Sequence, residues 1–166
     1  TFNEIIDLKG IGDYTASAIA SICFDIPEAV VDGNVYRFLS RFFGISIPIN
    51  TSNAHREFKK KATELMDFNN PGDFNQAIME FGSIQCKPKN PLCLKCPFNE
   101  NCVAYKNQKI DLFPVKKKNS KLKNRYFNYF VFQNGGKKTI VEKRNENDIW
   151  KNLFQFPLIE LPKLNY

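Results

Sequence analysis

Apolar positions recur at helical spacing through the first half of the chain and give way to short aromatic-rich, strand-like runs near its end. Phe2 to Leu8 reads as the close of an amphipathic helix, with Ile5 and Leu8 on one side, and Gly10-Ile11-Gly12 breaks it. Tyr14 to Phe24 follows as a second helix that places Ala16, Ile19, Ala20 and Cys23 on one face. Pro27 ends that region, and Asp32-Gly33-Asn34 starts a third helix with Val35, Phe38, Leu39 and Phe42 at i, i+3, i+4 and i+7. Phe43 to Asn53 is irregular, and His55 to Phe68 is a charged helix. Its Arg56, Lys59, Lys60 and Lys61 read as a solvated face, and His55 as a surface or cap residue. Asp73-Phe74-Asn75-Gln76 has the form of a capping box opening another helix, whose buried stripe is Phe74, Ala77, Ile78 and Phe81. Beyond Val103 the pattern turns polar and basic as far as Arg125, which reads as an interdomain linker carrying Lys116, Lys117 and Lys118. Tyr126 to Phe132 then reads as a strand, Asn134-Gly135 as a hairpin turn and Thr139 to Lys143 as the returning strand.

Composition sharpens this picture in two respects. With 166 residues, 43% of them hydrophobic, the chain can bury a core. A net charge of +7 and a pI near 9.1 point to an acidic polymer or surface as partner. No apolar run reaches membrane-spanning length and no secretory signal is visible, so a cytoplasmic location is expected. Of five cysteines, four fall in a C-x6-C-x2-C-x5-C array: Cys86, Cys93, Cys96 and Cys102. Thiolates so close in sequence suit one metal centre in a reducing compartment better than disulfides. Tetrahedral zinc is the generic competitor, but it is often built from two C-x2-C pairs and only one is present. Cys23, outside the array, reads as a small buried hydrophobe.

Two further features carry chemistry. The Gly10-Ile11-Gly12 turn is either a plain interhelical connection or a clamp whose free N–H groups, at the start of the next helix, face a phosphate. Asp32 is either an N-cap or a catalytic carboxylate, and the roles are compatible because capping fixes the rotamer that catalysis needs.

The run LKGIGDYTASAIASICF, followed by VVDGNVYRFLSRFFG, resembles the helix-hairpin-helix glycosylases, specifically adenine DNA glycosylases of the MutY type. FNQAIMEFGSIQC and the cysteine spacing resemble the same family's approach to its 4Fe-4S iron-sulfur cluster, and IWKNLFQFP resembles the entry to its Nudix-like C-terminal domain. The resemblance implies a mainly α, partial helix-hairpin-helix glycosylase fold over residues 1–102, with a cluster loop over 86–102. A linker over 103–125 and the start of a Nudix-like α+β domain over 126–166 would follow.

For chemistry it implies base-excision repair by a monofunctional glycosylase. Such an enzyme removes adenine opposite 8-oxoguanine or guanine in double-stranded DNA and acts as a monomer without a membrane, associated with a bacterial-type nucleoid. Asp32 matches the family's aspartate, which stabilises positive charge on the deoxyribose. Asn34 matches an asparagine that orients it, and Tyr14 a tyrosine beside it. In relatives that cleave the strand, that tyrosine's position holds a lysine; a phenol cannot form the Schiff base. The N–H groups of Gly10, Gly12 and Tyr14 would hold a DNA phosphate, so Gly10, Ile11 and Gly12 are the expected DNA-binding turn. Carbonyls of Leu8 and Ile11 would brace it with a monovalent cation. Lys87 and Lys89 would meet phosphates, and Cys86, Cys93, Cys96 and Cys102 would hold the cluster. The family's general acid, a glutamate on an earlier helix, has no counterpart here. The chain is therefore expected to be a fragment with little or no activity by itself. Two alternatives stay open: a bifunctional glycosylase and lyase resembling endonuclease III, and a non-enzymatic four-cysteine zinc module that binds nucleic acid.

Overall fold

The computed structural model describes residues 1–117, 124–136 and 138–162. The chain divides into two compact units between Lys118 and Asn119, and each is taken by itself.

The first unit is helical. Helix α1 (Phe2–Ile6) is closed at its start by a capping box between Thr1 and Glu4. Leu8 lies beyond its end and is exposed, so only Ile5 of the expected pair is buried. Helix α2 (Asp13–Phe24) buries Ala16, Ser17, Ala20 and Ser21. Cys23 is exposed rather than buried, because the packed face is the row of small residues one position to its side. Helix α3 (Gly33–Phe43) buries Val35 and Leu39 as expected, but also Arg37, Ser40 and Arg41. Helix α4 (Ser52–Leu65) buries Ala54, Phe58 and Ala62 and ends before Phe68, which is exposed.

Helix α5 (Pro71–Ile84) starts ahead of the expected capping box, with Pro71 in its first turn. Its buried stripe is Pro71, Asn75, Ile78 and Gly82; Ala77 is exposed and Phe74 and Phe81 are only half-buried. The physical reason is close approach. A Cβ on Gly82 would stand 2.7 Å from Asn34 Cβ and 2.8 Å from its carbonyl oxygen, so the small and polar side of α5 goes inward. Phe74 and Phe81 are left to line an apolar groove with Phe38, Phe42 and Phe98. The main core joins Val31, Val35, Leu39, Phe58, Met66 and Ile78.

The segment expected to be linker from Val103 onward belongs in part to this unit. Helix α6 (Val103–Lys106) and the 3-10 turn Ile110–Leu112 are formed, and Ala104 is fully buried. Arg41 donates through Nε to the carbonyls of Ile110 at 3.3 Å and Phe113 at 3.2 Å. Ile49 N–H donates to the carbonyl of Val115. A basic composition reads as linker, but backbone carbonyls that satisfy a buried arginine tie it down. Lys118 lies outside the described residues.

The second unit contains two antiparallel pairs. Strand β1 (Tyr126–Tyr129) pairs with β4 (Leu158–Leu161), and β2 (Glu142–Lys143) with β3 (Phe154–Gln155). The expected hairpin between Tyr126–Phe132 and Thr139–Lys143 is thus corrected. A turn forms, with Asn134 Oδ1 accepting from the N–H groups of Gly136 and Lys138, but among the described residues a single isolated bridge joins Gln133 to Thr139. The strands then part to other partners. Arg125 organises the ion pairs: its guanidinium donates to both oxygens of Asp148 at 2.7 Å and to Glu160.

Candidate active site

Two breaks between helices carry the expected site residues. At the first, Gly10 takes φ +89°, a left-handed conformation that only glycine adopts without strain, and the N–H of Ile11 donates back to the carbonyl of Leu8 at 3.0 Å. Gly12 is the N-cap of α2 and offers no side chain to its first turn. The N–H groups that open α2 therefore keep no side-chain acceptor, and a Cβ on Gly10 or Gly12 would meet only open space. The turn can accept an anion against its backbone. Tyr14, one residue into α2, is 49% exposed, and its hydroxyl lies 4.0 Å from Met79 Sδ.

At the second break, Asp32 caps α3. Its Oδ1 accepts from the N–H groups of Asn34 and Val35, each at 2.8 Å, and its Oδ2 accepts from Asn34 Nδ2 at 2.8 Å. The cap reading of this residue is thus realised: three donors fix the rotamer of the half-buried carboxylate at a helix N-terminus. The segment that delivers it is held too. Asn75, fully buried on α5, accepts from Val30 N–H and donates to the carbonyl of Glu28 and to Ser21 Oγ. One side chain thereby ties together α2, α5 and the approach to Asp32.

Asn34 is positioned in turn by Arg37. Its Oδ1 accepts from Arg37 Nη2 at 2.8 Å, and the same guanidinium donates to the carbonyls of Gly82 and Cys86, the latter at 2.7 Å. Burial lowers the Arg37 guanidinium from its ordinary value; Arg41 adds to the shift, and Cys86 and Asp32 act against it. One turn on, Arg41 reaches the loop after Cys86, donating to the carbonyls of Lys87 at 2.6 Å and Pro88 at 3.1 Å. Lys87 and Lys89 project from that clamped loop and are exposed. A continuous chain of hydrogen bonds therefore runs from Asp32 through Asn34 and Arg37 to the backbone at Cys86. Neither arginine was foreseen as a site residue. The signal was available, since Arg37 and Arg41 recur at i and i+4 on a helix otherwise rich in large apolar side chains.

Cys86, Cys93, Cys96 and Cys102, all free thiols, line one cavity whose walls are Phe38, Phe42, Phe81 and Phe98. Arg41 Nη1 lies 3.5 Å from Cys86 Sγ, and Cys102 Sγ 3.4 Å from the carbonyl of Arg41. Among the described residues no group of three or more His, Cys, Asp or Glu side chains forms a single-ion site. Burial pushes the Cys93 and Cys96 thiols up, and the neighbouring thiols add to it. Four thiols lining one cavity make a donor set of the kind that ligates a metal cluster.

Comparison with known proteins gives a consistent picture, although no family model matches the chain. It is 37% identical over 158 residues to an adenine DNA glycosylase of Buchnera aphidicola from Schizaphis graminum, covering 94% of this chain and 45% of that protein. An adenine DNA glycosylase of Schizosaccharomyces pombe is 46% identical over 103 residues, covering 62% of this chain and 22% of that protein. The chain thus spans less than half the length of these curated relatives. Among solved structures, a thermostable thymine-DNA glycosylase superposes with a TM-score of 0.59 at 34% identity, covering 64% of this chain and 49% of that one. A non-covalent endonuclease III–DNA complex does so with a TM-score of 0.55 at 25% identity, over 65% of this chain and 49% of that one.

Proposed function

Because the chain belongs to the adenine DNA glycosylase family, we propose that it forms the hairpin and catalytic-aspartate portion of an enzyme that excises adenine mispaired with 8-oxoguanine or guanine. The observation that carries this reading is the fixed Asp32 carboxylate, one helix after an open glycine turn. The adenine must leave the stack before reaction, and the backbone N–H groups at Gly10, Gly12 and Tyr14 hold a phosphate of the distorted strand. Carbonyls at Leu8 and Ile11 hold a monovalent cation behind the turn. As the bond to the base breaks, positive charge grows on the deoxyribose and Asp32 stabilises it. Asn34 keeps Asp32 in its rotamer, and Tyr14, exposed on α2 directly after the hairpin, is the tyrosine expected beside it. With a phenol there the reaction stops at the abasic site.

The general acid that protonates adenine has no counterpart in this chain. Cys86, Cys93, Cys96 and Cys102 hold a 4Fe-4S cluster, which supplies structural and electrostatic support to the loop that presents Lys87 and Lys89 to DNA phosphates. The second unit belongs to a Nudix-like domain that selects the damaged guanine. Among the described residues, no helix is long and apolar enough to cross a membrane.

The test is adenine release from an A:8-oxoguanine duplex by a protein of the relatives' length carrying these residues. Asp32→Asn is expected to slow release by at least ~10²-fold, on the scale of losing one electrostatic contact to a developing charge. Release undiminished by that change rejects the assignment. Borohydride should trap no covalent adduct, and the purified protein should contain iron and acid-labile sulfide rather than a single zinc.

A further inference from the structure

Lys59, on α4, falls in the stretch that the sequence reads as a solvated face, yet its ammonium is drawn inward and the side chain is only 22% exposed. It lies 2.9 Å from Asp13 Oδ1, 3.2 Å from Glu28 Oε2 and 3.2 Å from Ser17 Oγ, and 4.7 Å from the centre of the Phe2 ring. These partners come from α1, from the start of α2 and from the segment that leads to Asp32. Asp13 follows Gly12 directly and is the first residue of α2. Its carboxylate suits the helix dipole but sets a negative charge one residue from the turn whose N–H groups would face a phosphate. Its Oδ2 is buried and accepts no aligned hydrogen bond, although His55 Nε2 lies 3.0 Å away. The reach of this charge is visible on α3, where burial and then Asp13 push the Tyr36 phenol up.

We propose that Lys59 is a positioning residue for DNA binding. It cancels the Asp13 carboxylate at the mouth of the hairpin, so that the N-terminus of α2 presents positive potential to a backbone phosphate. Through Glu28, the same ammonium holds the Asp32 segment in register with the hairpin. The inference rests on the reading of Gly10-Ile11-Gly12 as a phosphate clamp.

The test measures anisotropy of a short fluorescein-labelled DNA duplex with the 166-residue chain across a series of potassium chloride concentrations, with circular dichroism to verify folding. Lys59→Gln should weaken binding about tenfold at low salt and flatten the dependence of log K on log salt by about 0.9, the value for one phosphate contact. Lys59→Arg should bind as the wild type, and Asp13→Asn in the Lys59→Gln background should restore affinity. Asp13→Asn alone removes the carboxylate at the hairpin, leaves Lys59 paired with Glu28, and should tighten binding and steepen the salt dependence. A merely structural ion pair would instead weaken binding in that variant, an outcome that overturns the proposal even if Lys59→Gln fails to fold. Gly12→Glu, which adds a carboxylate where a Cβ meets only open space, separates the two readings. If it abolishes binding while Lys59→Gln does not change it, the counter-charge role fails and the clamp stands. If it leaves affinity and salt slope intact, the clamp reading fails, and this proposal with it.

Discussion

The two units of this chain satisfy their polar groups in opposite ways. In residues 1–117 the charged and amide side chains that matter go inward. Arg37, Arg41 and Asn75 are buried and spend their donors on backbone carbonyls, on Asn34 Oδ1 and on Ser21 Oγ. In residues 124–162 none of the described residues is buried, and the ion pairs of Arg125 with Asp148 and Glu160 stay open in part to solvent. Large apolar side chains are open there as well: Phe154 is 70% exposed and Trp150 55%. The contrast teaches where specificity resides. Buried donors admit one geometry, since a carbonyl deprived of its partner has no water to replace it, whereas exposed pairs contribute little and tolerate change.

The largest test of that contrast is Arg37→Met. It strands the carbonyl of Gly82, takes the shorter of two arginine donors from Cys86 and leaves Asn34 Oδ1 without its donor. A loss of about 3–5 kcal/mol in urea unfolding of the first unit is expected, the range for breaking one side of a buried charged network. A loss under about 1 kcal/mol would show that water reaches those carbonyls after all. Next comes Gly82→Ala, where the new methyl would meet Asn34 Cβ at 2.7 Å. Overpacking of this kind costs about 1–3 kcal/mol. Because it pushes on Asn34, the loss should appear in adenine excision as well as in the melting temperature of a full-length enzyme.

The smallest effect belongs to the second unit. The Arg125 N–H groups hold the Asp148 carboxyl well below the usual carboxylate range. A carboxyl lowered by folding contributes stability that is complete above its unfolded pKa, about 3.9, and is lost as the pH falls from there. Proteolytic resistance of residues 124–162 should therefore stay flat between about pH 5 and 8 and decline only below about pH 4. Asp148→Asn should remove that acid dependence and bring neutral-pH resistance down to about the level the unchanged chain reaches in acid.

How far the site was legible depended on where its partners lay in sequence. The Asp32 cap needs only Asn34 and Val35, neighbours in the next turn, and the composition Asp-Gly-Asn announces it. The hairpin glycines are equally local. Lys59 was misread because a lysine on a charged helix carries no mark of the Asp13 and Glu28 carboxylates that meet it across the fold. The stripe of α5 was misplaced for a related reason: hydrophobicity ranks Phe74 and Phe81 as core, but contact with Asn34 admits only the surface without a side chain at Gly82. The strand partners of the second unit were missed because a turn at Asn134 fixes the reversal and not the pairing that follows it.

Local rules of capping, glycine conformation and cysteine spacing were thus enough for the sequence alone to set the order of helices, the open turn, the placement of Asp32 at a helix start and a four-thiol array. Tertiary structure alone decided which polar side chains became buried, which face of each helix packed and which strands paired. Those choices are made by contacts between residues far apart in the chain, where steric fit and the need to satisfy every buried donor outweigh the preferences of any single segment.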